Sequence, residues 1–144
     1  MNILGLNVYH ADTAATIIVD GKIIAASEEE RFTRIKHFTG FPFNSINFCL
    51  KEADLKLSEI DFVSVNYNFK YNFFHRLKFL LSNIYTGNLI SKLLSLRNKK
   101  NISNLFKDYY GVNIDEKIIF VPHHISHIAS SFLTSGFKNA IGLS

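Results

Sequence analysis

Tryptophan is missing from this chain, cysteine occurs once and proline twice in 144 residues. A single Cys49 excludes an internal disulfide framework, and its setting in FNSINFCL reads as that of an ordinary buried small side chain. No uninterrupted apolar run approaches the roughly 20 residues that a membrane-spanning helix requires. The N-terminus MNILGLNVYH has neither the basic head nor the small-residue cleavage site of a secretory signal. The expectation is a cytoplasmic protein without a membrane span. Acid is absent from one long stretch: Asn66 to Lys107 carries eight basic residues and no Asp or Glu. The remainder, with eight basic and twelve acidic residues, balances at −4 under an overall charge of +4. A basic, aromatic segment is set into a mildly acidic domain.

What is abundant is apolar. Hydrophobic residues make up 47% of the chain and aromatics 14%, enough for a buried core and too much for disorder. The length suits one domain, since single domains commonly run to about 100–150 residues.

The opening reads as three antiparallel strands. ILGLNVY (3–9) is an apolar run of strand length, HADT (10–13) a polar break, and AATIIVD (14–20) a second, β-branched strand. Asp20-Gly21 then matches a two-residue type I′ hairpin turn, because both positions tolerate positive φ, and KIIAASE follows. EEE (28–30) reads as the solvated start of a short helix or irregular segment, with its carboxylates at the positive end. After Gly40-Phe-Pro42, apolar residues at 43, 46, 49, 50 and 53 predict a helix. A fourth strand is expected at about Phe62–Val65, a fifth at Lys117–Val121 and a sixth from Asn139 to Ser144. The last, apolar and uncapped, reads as the edge of a longer protein. The basic segment, about 66–110, has helical periodicity over roughly 72–85 and 88–108 and is read as an inserted helical hairpin or lid. A nucleic-acid or anionic-membrane surface is its second reading, disfavoured because its aromatics pattern as packing residues; no nucleic-acid partner is expected.

The segment FVPHHISHIASSF (120–132) holds three of the six histidines. Pro122 suits a first helical position and Gly136 a C′ stop. At about 100° per residue, His127 falls about 40° from His123 on a face completed by Ser130 and Thr134, while Ile125, Ile128, Ala129 and Phe132 gather opposite. His124 lies on the border. Imidazoles at i and i+4 project side by side and can grip a divalent metal. A solvated helix face matches the same pattern, so the two readings stay open at this level.

Two longer signatures carry a resemblance. EERFTRIKHFTGFP (29–42) and HHISHIASSF (123–132), behind the strand–turn–strand–hairpin opening, resemble the O-carbamoyltransferases that include nodulation-factor and antibiotic carbamoylation enzymes. The resemblance implies an α/β, ribonuclease-H-like domain of the actin, Hsp70 and sugar-kinase superfamily, similar to the catalytic subunit of the tRNA threonylcarbamoyl-adenosine synthase. Residues 1–144 would be its incomplete amino-terminal part, followed in the family by the rest of the domain and a second domain that forms carbamoyl-adenylate from carbamoyl phosphate and ATP. The implied activity is ATP-dependent transfer of the carbamoyl group to a hydroxyl of a sugar or natural product. This piece alone is expected to be inactive.

Carried over by position, His123 and His127 match a metal pair for iron or zinc, with further ligands expected beyond the chain. His10 matches a base or carbamoyl-holding residue, and Lys36 a second catalytic position. Arg31 and Asp12 match cofactor-binding positions, Arg31 offering a planar fork to phosphate oxygens and Asp12 having turn capping as its alternative. Three positions depart from the pattern: Ala11 intervenes between His10 and Asp12, Asn7 replaces an acid frequent in the superfamily, and Ile128 replaces Ala, with its side chain expected on the core side of the helix. The rivals are a sugar- or acetate-kinase-like phosphotransferase, which needs a carboxylate where Asn7 stands, and a non-catalytic truncated fragment.

Overall fold

The computed structural model describes residues 1–66 and 102–143. The described residues form a mixed α/β fold around one five-stranded sheet. β1 (Asn2–Asn7), β2 (Ala14–Val19) and β3 (Lys22–Glu28) make the antiparallel meander that the alternating pattern predicts. Asp20 and Gly21 turn it with φ of 49° and 80°, the paired positive values of a type I′ hairpin. β4 (Phe62–Val65) lies parallel to β1, and β5 (Ile118–Phe120) parallel to β4, giving the order β3-β2-β1-β4-β5.

Alternation in β1 and β2 sends Leu4, Leu6, Ala15 and Ile17 into one core with Val63 and Val65 of β4. α1 (Glu30–Thr33) is a single turn, and α2 (Phe43–Glu52) packs on β2 and β3 through Ile46, Cys49 and Leu50. Each large aliphatic buried this way contributes roughly 1.5–3 kcal/mol. Cys49 is the inert core residue the sequence suggests: fully buried, with burial pushing its thiol up to about 11. Lys117 closes a 3₁₀ turn before β5, and its Nζ donates to the carbonyls of Ser58 (3.1 Å) and Ile60 (2.6 Å), fixing where β5 begins.

The described residues 102–115 belong to a second unit and contain α3 (Ile102–Tyr110), with Ile102, Leu105 and Phe106 buried. The expected helix at 72–85 and the start of that at 88–108 lie outside the described residues.

α4 (His123–Ser135) ends at Gly136, whose φ of 74° is the left-handed C-cap glycine tolerates best. Pro122 sits one place earlier than expected, as the N-cap with extended ψ of 136°. Two expectations are corrected here. The sixth strand does not form over 139–143: Ile141 and Leu143 are each 94% exposed, and no described strand supplies the partner that a ladder requires. Nor is the apolar stripe of α4 buried, with Ile125 56% and Ile128 37% exposed. Periodicity identifies the apolar side of a helix; burial needs something packed on it, and among the described residues 137–143 fold back on it, leaving a groove of about 510 Å³ lined by Ile128, Phe132, Phe137 and Ile141.

Candidate functional site

The β1–β2 connection is a tight, braced turn. Tyr9 and Asp12 both have positive φ, 55° and 60°, a conformation costing roughly 1–2 kcal/mol for a residue with a Cβ. Several hydrogen bonds hold it. The Asn7 amide donates to the carbonyls of Ala11 (3.3 Å) and Asp12 (2.9 Å), and the backbone N–H of Tyr9 donates to Gly40 O at 2.9 Å. Buried Thr13 donates its hydroxyl to His10 O (3.1 Å) and accepts from the Gly40 N–H (3.1 Å).

Glu29, expected among solvated acids, is instead 2% exposed and caps α2 from a distance. Pro42 at the N-cap has no side-chain acceptor, so the first N–H groups of α2 need one from elsewhere. Glu29 Oε1 accepts from the Asn44 backbone (3.1 Å) and side chain (2.7 Å), and Oε2 from the Ser45 backbone (2.8 Å) and hydroxyl (2.9 Å). The Glu29 N–H also donates to Thr13 O at 2.8 Å, joining this cap to the His10 turn.

His37 pairs with Asp12, Nδ1 to Oδ1 at 2.8 Å. The hydrogen bond and charge of Asp12 raise the His37 pKa above its ordinary 6.5. A raised folded-state value means that the imidazolium favours the fold. The stabilisation is therefore complete below the unfolded value and disappears as pH rises through the folded one. We expect the urea midpoint to drift down as pH rises above about 6.5 and the His37→Gln variant to lose that drift. Equal slopes for variant and parent would rule out the pair as the source.

α4 brings its polar face over the C-terminal ends of β1 and β4. His123 and His127 lie with their Nε2 atoms 3.0 Å apart, and the His10 ring stacks on His123 at 5.0 Å with an interplanar angle of 26°. Partial burial, then the neighbouring imidazoles of His127, His10 and His124, hold the His123 pKa below its ordinary value, so its lone pair stays available at neutral pH. A groove of about 390 Å³ beside them is lined by Gly5, Asn7, Ser64, Asn66, His123 and His127. Gly5 keeps it open: a Cβ there would stand 2.8 Å from Thr16 Cγ2, whose rotamer is pinned by the Thr16 hydroxyl donating to Ala25 O at 3.1 Å.

Two nitrogens bound at about 2.0–2.1 Å to a tetrahedral ion sit about 3.3 Å apart, close to the spacing of the His123–His127 pair, so these residues fit a divalent metal as two of its ligands. Among the described residues no third His, Cys, Asp or Glu joins them in a metal-binding group. His124 meets His123 edge-on at 6.0 Å.

The structure therefore gathers His10, His123 and His127. It puts Asp12 in a turn-bracing ion pair, while Arg31 on α1 and Lys36 beyond it are exposed and have no hydrogen-bond partner among the described residues. Sequence reasoning missed Glu29 and Asn66. Glu29 had a legible signal in the Pro42 N-cap, which cannot cap its own helix. No helix among the described residues is long and apolar enough to cross a membrane.

Comparison with known proteins gives one family: a family model described as the carbamoyltransferase N-terminus matches residues 2–143. The nodulation protein NolNO of Sinorhizobium fredii is 35% identical over 136 residues, covering 94% of this chain and 19% of its own. An uncharacterized Synechocystis protein, sll1178, is 36% identical over 149 residues, covering 96% of this chain and 24% of its own. A 19.2 kDa protein encoded in the syrM 5′ region of Rhizobium etli is 47% identical over 55 residues, 38% of this chain and 32% of its own. The chain thus spans a third or less of each of these relatives.

Proposed function

From a chain that belongs to the carbamoyltransferase N-terminus family, we propose the amino-terminal part of an ATP-dependent O-carbamoyltransferase, acting on a hydroxyl of a sugar or natural product. The observation that supports it is the convergence of His10, His123 and His127 beside one groove at the strand ends, in a family named for carbamoyl transfer. The sheet order β3-β2-β1-β4-β5, antiparallel over its first three strands and parallel over its last two, supports a ribonuclease-H-like reading of the domain.

In this reading the carbamoyl group comes from carbamoyl phosphate through carbamoyl-adenylate. The acceptor oxygen attacks the carbamoyl carbon, its proton passes to the His10 imidazole, and the bond from that carbon to the adenylate phosphate oxygen breaks as AMP leaves. His123 and His127 would hold an iron or zinc ion, which when bound supplies a Lewis acid for the carbamoyl carbonyl or for phosphate oxygens. Arg31 and Lys36, both exposed, would neutralise the phosphate or adenylate. Of the groove's polar side chains, Ser64 would offer its hydroxyl to substrate, the amides of Asn7 and Asn66 being bonded to each other and to the β1–β2 turn. Activity belongs to the full-length polypeptide carrying this segment; the 144 residues alone would be inactive.

A phosphotransferase would place a carboxylate at the end of β1. Asn7 stands there, with its NH₂ committed to two backbone carbonyls, which disfavours that reading. The deciding assay supplies the full-length polypeptide with ATP, carbamoyl phosphate and a panel of hydroxylated acceptors and follows a 43 Da gain, about the mass of a carbamoyl group replacing a hydrogen. Appearance of that adduct, dependent on both cosubstrates, is the expected result. Phosphorylated acceptor in its place would establish the phosphotransferase.

A further inference from the structure

Asn7 closes β1 and Asn66 directly follows β4, so their side chains meet across two parallel neighbours. The Asn66 amide donates to Asn7 Oδ1, and Asn66 Oδ1 accepts from the Val8 N–H at 3.1 Å. Asn7 Nδ2 gives its hydrogens to Ala11 O and Asp12 O at 3.3 and 2.9 Å. The two amides thus clamp both ends of the loop whose middle residue, His10, lies stacked on His123. Both also line the groove.

We infer that Asn7, locked by Asn66, is a positioning residue that holds His10 over His123. The chemistry of the contact specifies an amide. Asn7 must offer donors toward Ala11 and Asp12 and an acceptor toward Asn66, and no other side chain of its size does both. A carboxylate there would set an acceptor against two carbonyl oxygens. The functional consequence rests on the reading of His10 as the base; the structural one does not.

The test therefore has two arms. In the first, ¹H NMR of the protein follows the nuclear Overhauser effect between the ring protons of His10 and His123, assigned with His10→Gln. Asn7→Asp should abolish it while the His123–His127 signal along α4 and the far-UV circular dichroism persist. In the second, carbamoyl transfer by the full-length polypeptide should fall roughly 100-fold in Asn7→Asp, the scale on which misplacing a reacting group lowers turnover. This should appear in kcat more than in KM, and the Asn7→Asp/His10→Gln double variant should be no worse than His10→Gln alone. If Asn7→Asp does not fold, Asn7→Ser, which keeps one donor, should weaken the Overhauser signal in place of abolishing it. Persistence of the His10–His123 signal at full strength in a folded variant, or additive losses in the double variant, would overturn the inference. A parent polypeptide that transfers no carbamoyl group, while Asn7→Asp still abolishes the Overhauser signal, would remove the catalytic reading and leave the positioning intact.

Discussion

Glu29→Ala is expected to destabilise the protein by about 3 kcal/mol, more than any other single polar substitution in the signature segment. The magnitude follows from what the carboxylate satisfies. Ser45 is fully buried, and its N–H and hydroxyl both point at Glu29 Oε2, at 2.8 and 2.9 Å. Truncation leaves these donors in an apolar setting with no acceptor, each an uncompensated cost of about 1–3 kcal/mol less whatever an entering water restores. The Asn44 donors are at an exposed residue and find solvent more easily. Glu29→Gln should therefore be milder, about 1–2 kcal/mol, because the amide keeps one oxygen for Ser45 and turns its NH₂ toward the exposed side. Urea unfolding with unchanged m-value measures both. A Glu29→Ala midpoint equal to that of the parent would mean that α2 does not depend on this cap.

The same residue shows why part of the molecule was legible in its sequence and part was not. The strands were readable because local preference and tertiary demand agree: β-branched alternation in AATIIV, the Asp20-Gly21 turn and the apolar FVSV all specify the conformation they adopt. α4 was readable from its two punctuating residues, Pro122 and Gly136. Glu29 was not, because three consecutive glutamates look alike in sequence, and which one is buried depends on a helix N-terminus reached only at residue 44. Asn66 escaped for a similar reason. Its partner Asn7 lies 59 positions away and becomes a neighbour only when β4 pairs with β1. Asp12, carried over as a cofactor-binding position, turns out to pair with His37. The segment EERFTRIKHFTGFP thus divides into brace and surface: Glu29, His37 and Gly40 hold the His10 turn and α2, while Arg31 and Lys36 are exposed at the surface. The expected sixth strand is absent because an apolar run is only half of what a strand requires: 139–143 pairs with neither edge strand of the described sheet, β3 or β5.

The largest functional effect is expected at the histidine pair: a His123→Ala/His127→Ala double variant of the full-length polypeptide should retain essentially no bound iron or zinc by elemental analysis. The argument starts from the 3.0 Å between the two Nε2 atoms. Without a metal, that distance is a hydrogen bond and requires one ring to carry a proton on Nε2 while the other offers a lone pair. A divalent ion needs both lone pairs on the same side, and the i, i+4 spacing on α4 already supplies that convergence at little conformational cost. The lowered pKa of His123 favours the unprotonated ring that binding requires. His10 presents a stacked ring face to His123, so it belongs beside the pair and not within the ligand set. His10→Ala should therefore leave the metal content unchanged while lowering carbamoyl transfer by about 100-fold or more, as loss of a general base does. The two results together separate holding a metal from moving a proton. Full metal stoichiometry in the double variant would remove His123 and His127 from the ligand set, and metal loss in His10→Ala would move His10 into it.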